Sequence, residues 1–504
     1  MRVLPKLFTI LTLLLCKPFL IHDVHASDKS TVRLGLSAIP PMNFSPFRNT
    51  GLPYVYTWSA VFEGLTKIDA NGNLKPLLAT SWESTDELTW VIDLRKGVKF
   101  SNGRPFDANS VVNIVKFLTS DEASIHLVSR MMFFLKSAKA IDSHKVEIST
   151  NVPTPLLPRF LTMLYALEPI HFNDVGLDKF SRKPVATGPF DVEKIGPTKI
   201  YFKSFDESWR KPRVKKLEII AIPDSSVRTF SLISGEIDIA MQIGPEETLA
   251  IKSRGGNEVI WRDPETWGYH FLTIEDSPLM DIKVREALNL AVDRDSIIKS
   301  LLYDSTIPAN QPAPPPVYGY NEKLPPIDYD PERAKQLLID AGYPNGFTFI
   351  LETSIGASAN ADAINQVVAQ YLSRVGVNML IRAIPVNQLI RNVIEGTWSG
   401  DAFGIHYSFQ PTVEVLKALD THSCLWPKAW YCKKEIMPTL RAAQTTFDKD
   451  KNLQFRKDIM EFYRNDWAAI FMYQAPRFAG TVKGLKGFLV ENNVISYDKI
   501  YKLD

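Results

Sequence analysis

Apolar and polar residues alternate along Thr31–Leu36 (TVRLGL), with Val32, Leu34 and Leu36 on one side. A period of two is the mark of a half-buried strand. Leu88–Leu94 (LTWVIDL), Lys199–Lys203 (KIYFK), Leu217–Ile222 and Phe347–Leu351 predict further strands. A period near 3.6 governs Val284, Ala287, Leu288, Ala291 and Val292, which share one helix face. The sharpest helix signal is Pro331–Ala341. Asp330 can cap its first N–H groups and Pro331 suits the first helical position. Ala334, Leu337, Leu338 and Ala341 form its apolar stripe, and Gly342 followed by Pro344 stops it. A second helix, Ile364–Val375, buries Val367, Val368, Tyr371 and Leu372, ends at Gly376, and leads into the extended Val377–Ile384. Strand, helix and strand in succession make an α/β unit. No repeat of the solenoid or propeller kind is visible. The Pro-rich piece Pro308–Pro316 (PANQPAPPP) is flanked by the same α/β pattern, so it is expected to be a loop within one domain.

The amino terminus has a different pattern. Arg2 and Lys6 precede the ten-residue apolar run Leu7–Cys16, which Lys17 and Pro18 end. A bilayer span needs roughly 17–25 apolar residues, so this run suits a secretory signal. Val24 and Ala26 place cleavage after Ala26, defining residues 1–26 as the signal peptide. Lipidation at Cys16 is the alternative, although Leu15 stands where a lipobox has a small residue.

Composition sharpens the picture. With 504 residues, roughly two to four domains are expected, because single cores stop growing near 250–300 residues. Hydrophobic residues at 45% and charged residues at 23% exclude disordered, collagen-like and disulfide-scaffold chains. Without Arg2, Lys6, Lys17 and Asp23, the 58 bases and 56 acids become 55 of each. A neutral chain offers no electrostatic case for nucleic acid or an anionic membrane. Only Cys424 and Cys432 then remain, and an even pair in an exported protein reads as a disulfide, with two buried thiols as the alternative. The expected compartment is oxidising and extracytoplasmic.

Catalytic signatures are absent. There is no G-x-x-x-x-G-K-[ST] loop, no H-E-x-x-H and no G-x-S-x-G. His126, His144, His171, His270, His406 and His422 are scattered, with no i, i+4 pair for zinc. No catalytic residue, cofactor or metal site is therefore predicted. Glu246-Glu247 could serve a glycosidase in principle, but reads better as a solvated helix start. The aromatic clusters are more informative. Trp267-Gly268-Tyr269 and Trp398-Ser399-Gly400-Asp401-Ala402-Phe403-Gly404 combine rigid contact area, close backbone access and one acid. Core packing around a turn-capping Asp is the alternative.

Five blocks in order resemble the family 5 extracellular solute-binding proteins of ABC transporters, the dipeptide-, oligopeptide- and nickel-binding group. They are LRKGVKFSNGRPFDANSVV within Leu77–Val115, PVATGPF at Pro184–Phe190, LISGEIDIA at Leu232–Ala240, DIKVREALNLAVD at Asp281–Asp293, and YDPERAKQLLIDAG at Tyr329–Gly342. The resemblance implies an α/β, two-lobed periplasmic binding protein fold of type II-like architecture, with an additional domain and a hinge. Lobe I would comprise 27–51, 184–268 and 476–504, the additional domain 52–183, and lobe II 269–475. It also implies a monomeric periplasmic receptor that captures a peptide and delivers it to ABC permease subunits served by a separate ATPase. In peptide-binding members an Asp in a "W.GD" setting pairs with the peptide amino group, which carries that role to Asp401 with Trp398 and Gly400. Phe403, Asn43 and Phe44 would flank an extended peptide, and Trp267 and Tyr269 would add aromatic contact. Ser358–Asp362 (SANAD) has no Arg where dipeptide binders hold the ligand carboxylate. Opines, sugars, haem and nickel chelates therefore stay open as solutes, with an exported hydrolase or a chaperone or adhesin as other function classes.

Overall fold

The computed structural model describes residues 29–40, 44–48, 51–273, 276–354, 356 and 358–503. The export signal, Cys16 and Asn43 lie outside these residues. Strand β1 is Thr31–Leu36, as its alternation predicts. A four-stranded antiparallel sheet follows, made of β2 (Ala79–Asp86), β3 (Thr89–Leu94), β4 (Leu135–Asp142) and β5 (Lys145–Thr150) in the order β2-β3-β5-β4. Trp90, Ile92, Val146 and Ile148 point from it into the core. Helix α1 (Ala108–Leu118) covers that face, begun by Asp107, whose carboxylate accepts the Ser110 N–H.

The remaining long strands are β6 (Phe190–Ile195), β7 (Lys199–Ser204), β8 (Lys216–Ala221), β9 (Ile239–Met241), β10 (Asn257–Phe271), β11 (Phe347–Ser354), β12 (Val377–Ile384), β13 (Ala402–Ser408) and β14 (Ala469–Thr481). With β1 they form one ten-stranded sheet in the order β12-β11-β13-β10-β14-β9-β1-β8-β7-β6. Its two parallel cores are β8-β1-β9 and β12-β11-β13. Helices α2 (Ser225–Ile233) and α3 (Pro245–Ser253) serve the first core, and α4 (Pro331–Asp340) and α5 (Ala361–Ser373) the second.

β10 and β14 form an antiparallel ribbon that joins the two halves, here called lobes. Residues 257–262 pair with 476–481 beside β9, and 266–270 pair with 469–474 beside β13, with a register shift between Arg262 and Thr266. The first lobe shares one core with the four-stranded sheet, whereas the second lobe buries both faces of its own sheet.

The four-stranded unit also touches the second lobe. Arg159 is buried and donates to Thr412 O at 3.0 Å, Val413 O at 3.1 Å and Gly72 O at 3.0 Å. Gly72 has φ +76°, and a Cβ there would lie 1.8 Å from Pro316 O. The Pro-rich segment is ordered along β14, where Ala309 N–H bonds Met472 O and Gln474 N–H bonds Ile307 O, both at 3.1 Å. Among the described residues, no helix is long and apolar enough to cross a membrane.

Candidate functional site

Ligands of open α/β sheets bind outside the carboxyl ends of parallel strands. β9 ends at Met241 and β11 at Ser354, and residues that follow them, Gln242–Gly244 on one side and Gly356 and Ser358–Asn360 on the other, form opposite walls of one interlobe cavity. Its volume is about 560 Å³, within the range usual for small-molecule sites. Trp261, Pro476 and Arg477 of the ribbon form the floor, and Leu52 and Tyr56 join the first-lobe wall.

The floor is organised by charge. Trp261 pairs across the ribbon with Arg477. Arg477 donates to Asp263 at 2.5 Å and to Glu265 at 2.6 Å. The Trp261 indole N–H bonds the other Asp263 oxygen at 3.0 Å, and Ser408 donates to Glu265 at 2.7 Å. Burial pushes the Asp263 carboxyl above the usual range, and Arg477 opposes that shift. Desolvation weakens the Arg477 charge, but Asp263 and then Glu265 more than restore it, so the guanidinium stays ionised. Burial also holds the Tyr56 hydroxyl neutral, reinforced by Asp263.

The walls are fastened by side chains of ordinary turn chemistry. Gln242 has φ +54°, and its amide oxygen accepts both N–H (3.2 Å) and O–H (2.8 Å) of Ser37. Arg228 is buried and donates to the carbonyls of Ile222, Pro223, Met241 and Gln242. Glu247 accepts the Gly244 N–H at the start of α3. Beside it, Glu246 accepts from Asn360 Nδ2 of the opposite lobe at 3.0 Å, so one hydrogen bond spans the cavity mouth.

The residues expected from sequence lie elsewhere. Asp401 precedes β13; its carboxylate accepts the Ile350 N–H at 2.8 Å and its own N–H bonds Ile350 O at 2.8 Å. β13 runs beside the ribbon along its whole length, from Ala402 opposite Phe271 to Ser408 opposite Glu265, where the ribbon crosses between the lobes. At about 3.3 Å per residue, Asp401 is on the order of 20 Å from that crossing. Its turn therefore braces strand β11 and lies outside the cavity. Trp398 stacks on Phe403 at 4.1 Å, and Phe403 is fully buried. Gly400 faces Ile350 O and Glu352. Trp267 and Tyr269 are fully buried and meet edge to face at 6.1 Å, with the Tyr269 hydroxyl donating to Asn365 at 2.6 Å. Phe44 packs between Phe62 and Phe202. All six aromatic or glycine positions are packing residues here, because large rings have the most to gain from burial. Cys424 and Cys432 are disulfide-bonded. Among the described residues no cluster of His, Cys, Asp or Glu could hold a metal.

Trp261, Arg477, Gln242, Glu246 and Asn360 were not legible as site residues. One signal did exist: Arg477 interrupts the strongly apolar strand β14, where an ionised side chain is costly unless paired.

Two lobes joined by a crossing ribbon, with a cavity at the carboxyl ends of strands from both, define a two-lobed solute-binding protein. The chain belongs to the bacterial extracellular solute-binding proteins of family 5, whose middle region matches residues 73–423. That family binds solutes for ABC transporters and is not a family of enzymes. Among curated relatives, the glutathione-binding protein GsiB of Escherichia coli O1:K1 is 28% identical over 455 residues, covering 85% of this chain and 86% of its own. The dipeptide-binding protein of Escherichia coli K12 is 25% identical over 451 residues, covering 82% and 84%. Among solved structures, HbpA2 from Haemophilus parasuis superposes with a TM-score of 0.79 at 21% identity, over 94% of this chain and all of that one.

Proposed function

We propose that the protein is the periplasmic receptor of an ABC import system and captures peptides in the interlobe cavity. The observation that carries the reading is that both lobes supply walls to one cavity. A solute touching Gln242 and Glu246 on one side and Ser358 and Asn360 on the other favours the closed arrangement by its differential affinity. The relatives named for glutathione and for dipeptides supply the peptide class. The mature receptor is monomeric, begins after a signal peptide ending at Ala26, and presents its closed form to the transmembrane permease. Its units are lobe I (27–51, 184–268, 476–504), the additional domain (52–183) and lobe II (269–475), with the ribbon as hinge.

Titration calorimetry of the mature protein with defined peptide mixtures tests the reading. Binding is expected, with Trp261→Ala weakening it about tenfold or more and Asp401→Ala leaving it unchanged. Absence of any peptide binding, or equal affinity in Trp261→Ala, would refute the peptide site.

A further inference from the structure

The charges around the cavity do not balance. On the first lobe stand Asp224, which caps α2 by accepting the Val227 N–H at 2.9 Å, and Glu246 and Glu247 in the first turn of α3. The ribbon adds Asp263 and Glu265. Of these, Glu246 and Glu247 line the cavity, and among the described lining residues the one base is Arg477, which Asp263 and Glu265 already neutralise.

Neither that base nor the nearby Arg228 is free. Arg228 spends its donors on four main-chain carbonyls. Arg477 is held by two acids at once. The next guanidinium on the ribbon, Arg262, alternates to the other face of β10 and lines a different cavity with Gly72 and Pro316. The segments leaving β1 and β11, residues 37–47 and 355–360, contain no charged residue. Among the described lining residues, a solute carboxylate finds no unspent cation and meets the carboxylates of Glu246 and Glu247.

One other feature points to a positive group. The Trp261 indole is fixed by its bond to Asp263, so one ring edge is spent and the ring is held as part of the cavity lining. A tryptophan face beside carboxylates is the usual chemistry for holding ammonium or guanidinium.

We propose that the solute is cationic: it carries an ammonium or guanidinium group, held between Trp261 and Glu246, and presents no free carboxylate to the cavity. This rests on the reading that the interlobe cavity is the solute site. It differs from a dipeptide site, which must hold both charged ends. Glu246 is an exposed member of the set and accepts from Asn360 across the mouth, so neutralising it weakens attraction without disturbing a core.

The experiment is calorimetry of the mature protein with three N-acetylated, C-terminally amidated tetrapeptides, Ala-Lys-Ala-Lys, Ala-Ser-Ala-Ser and Ala-Glu-Ala-Glu, whose side chains alone carry charge, the free-acid form of the first, and spermidine. The lysine amide is expected to bind about tenfold or more tighter than the serine amide, and more weakly as salt rises. Its free acid should bind no tighter than the amide, and the glutamate peptide weakest. Glu246→Gln should lower affinity for the lysine peptide about fivefold and leave the serine peptide unchanged, with an unaltered unfolding midpoint showing that the fold is intact. Serine or glutamate peptides binding as tightly as the lysine peptide would overturn the charge inference and leave the peptide receptor standing. Binding of spermidine with no peptide bound would sustain the cationic class and overturn the peptide reading. Binding of none would overturn both.

Discussion

Arg477→Met removes the one base from a nearly closed triad. Asp263 is 1% exposed and Glu265 7%, so both carboxylates stay where water cannot solvate them. Arg477 gives each a charge-assisted hydrogen bond, at 2.5 and 2.6 Å. Each such bond contributes about 1.5–3 kcal/mol, and breaking a buried ion pair from one side typically costs about 3–5 kcal/mol. The expected loss is therefore about 3–5 kcal/mol in urea unfolding at pH 7.5. The pH dependence separates this cause from simple loss of packing. In the native protein burial already raises the Asp263 carboxyl, and Arg477 holds it down. Without the guanidinium it rises further. A carboxyl whose folded pKa lies above its unfolded one costs stability while ionised, and that cost is relieved as pH falls into the folded pKa. The gap between variant and parent should thus narrow from pH 7.5 to pH 5. A deficit below about 1 kcal/mol, or one of equal size at both pH values, would refute the role of the triad.

Gly72 and Gly97 both have φ +76°, so alanine costs each about 1 kcal/mol of backbone strain. Only Gly72 has a close neighbour, Pro316 O at 1.8 Å from a Cβ, whereas nothing lies within 4 Å at Gly97. Gly72→Ala should therefore lower the thermal midpoint clearly more than Gly97→Ala, and equal losses would mean that the turn does not bear on the second lobe. The rings of His270 and His422 lie 4.6 Å apart in the second-lobe core. Burial lowers His422 to about 4, although its bond to Ala418 O opposes this, and burial takes His270 well below its usual value. The unfolded chain binds those protons below about pH 6.5 and the folded chain does not, so stability is full above that pH and falls toward pH 4, by roughly 3 kcal/mol for His422. Urea midpoints at pH 7 and pH 5 should show a smaller acid loss in His422→Gln than in the parent; identical losses would exclude His422 as a source.

Local signals carried most of the second lobe. Asp330 accepts the Arg333 N–H at 2.9 Å and Gly342 has φ +89°, so the start and stop of α4 are where capping chemistry puts them. β1, β3, β7 and β12 show the alternation or extended pattern that burial on one face demands. β10 and β14 were not legible, and the reason is physical. Residues 469–481 are buried on both faces almost throughout, which erases the period of two. β2 failed in the opposite way: ATSWESTD is mostly exposed and is held by its pairing with β3.

The aromatic and glycine clusters misled for a related reason. A Cβ at Gly404 would lie 3.2 Å from Trp267 Cζ2, and one at Gly268 would lie 3.0 Å from Ile470 O. The space those glycines leave is taken by the protein's own indole and backbone. Residues that line the cavity are separated in sequence by more than two hundred positions, as Trp261 and Arg477 are, and only the ribbon brings them together. Their visible trace was energetic: a base inside the apolar run of β14 must be paired or functional. The triad is paired, and it stands where the ribbon changes register between the lobes. Closing the walls on a solute therefore brings the carboxylates of α3 towards the same floor that Arg477 already neutralises. Closure and charge compensation become one event, and a positive solute completes both.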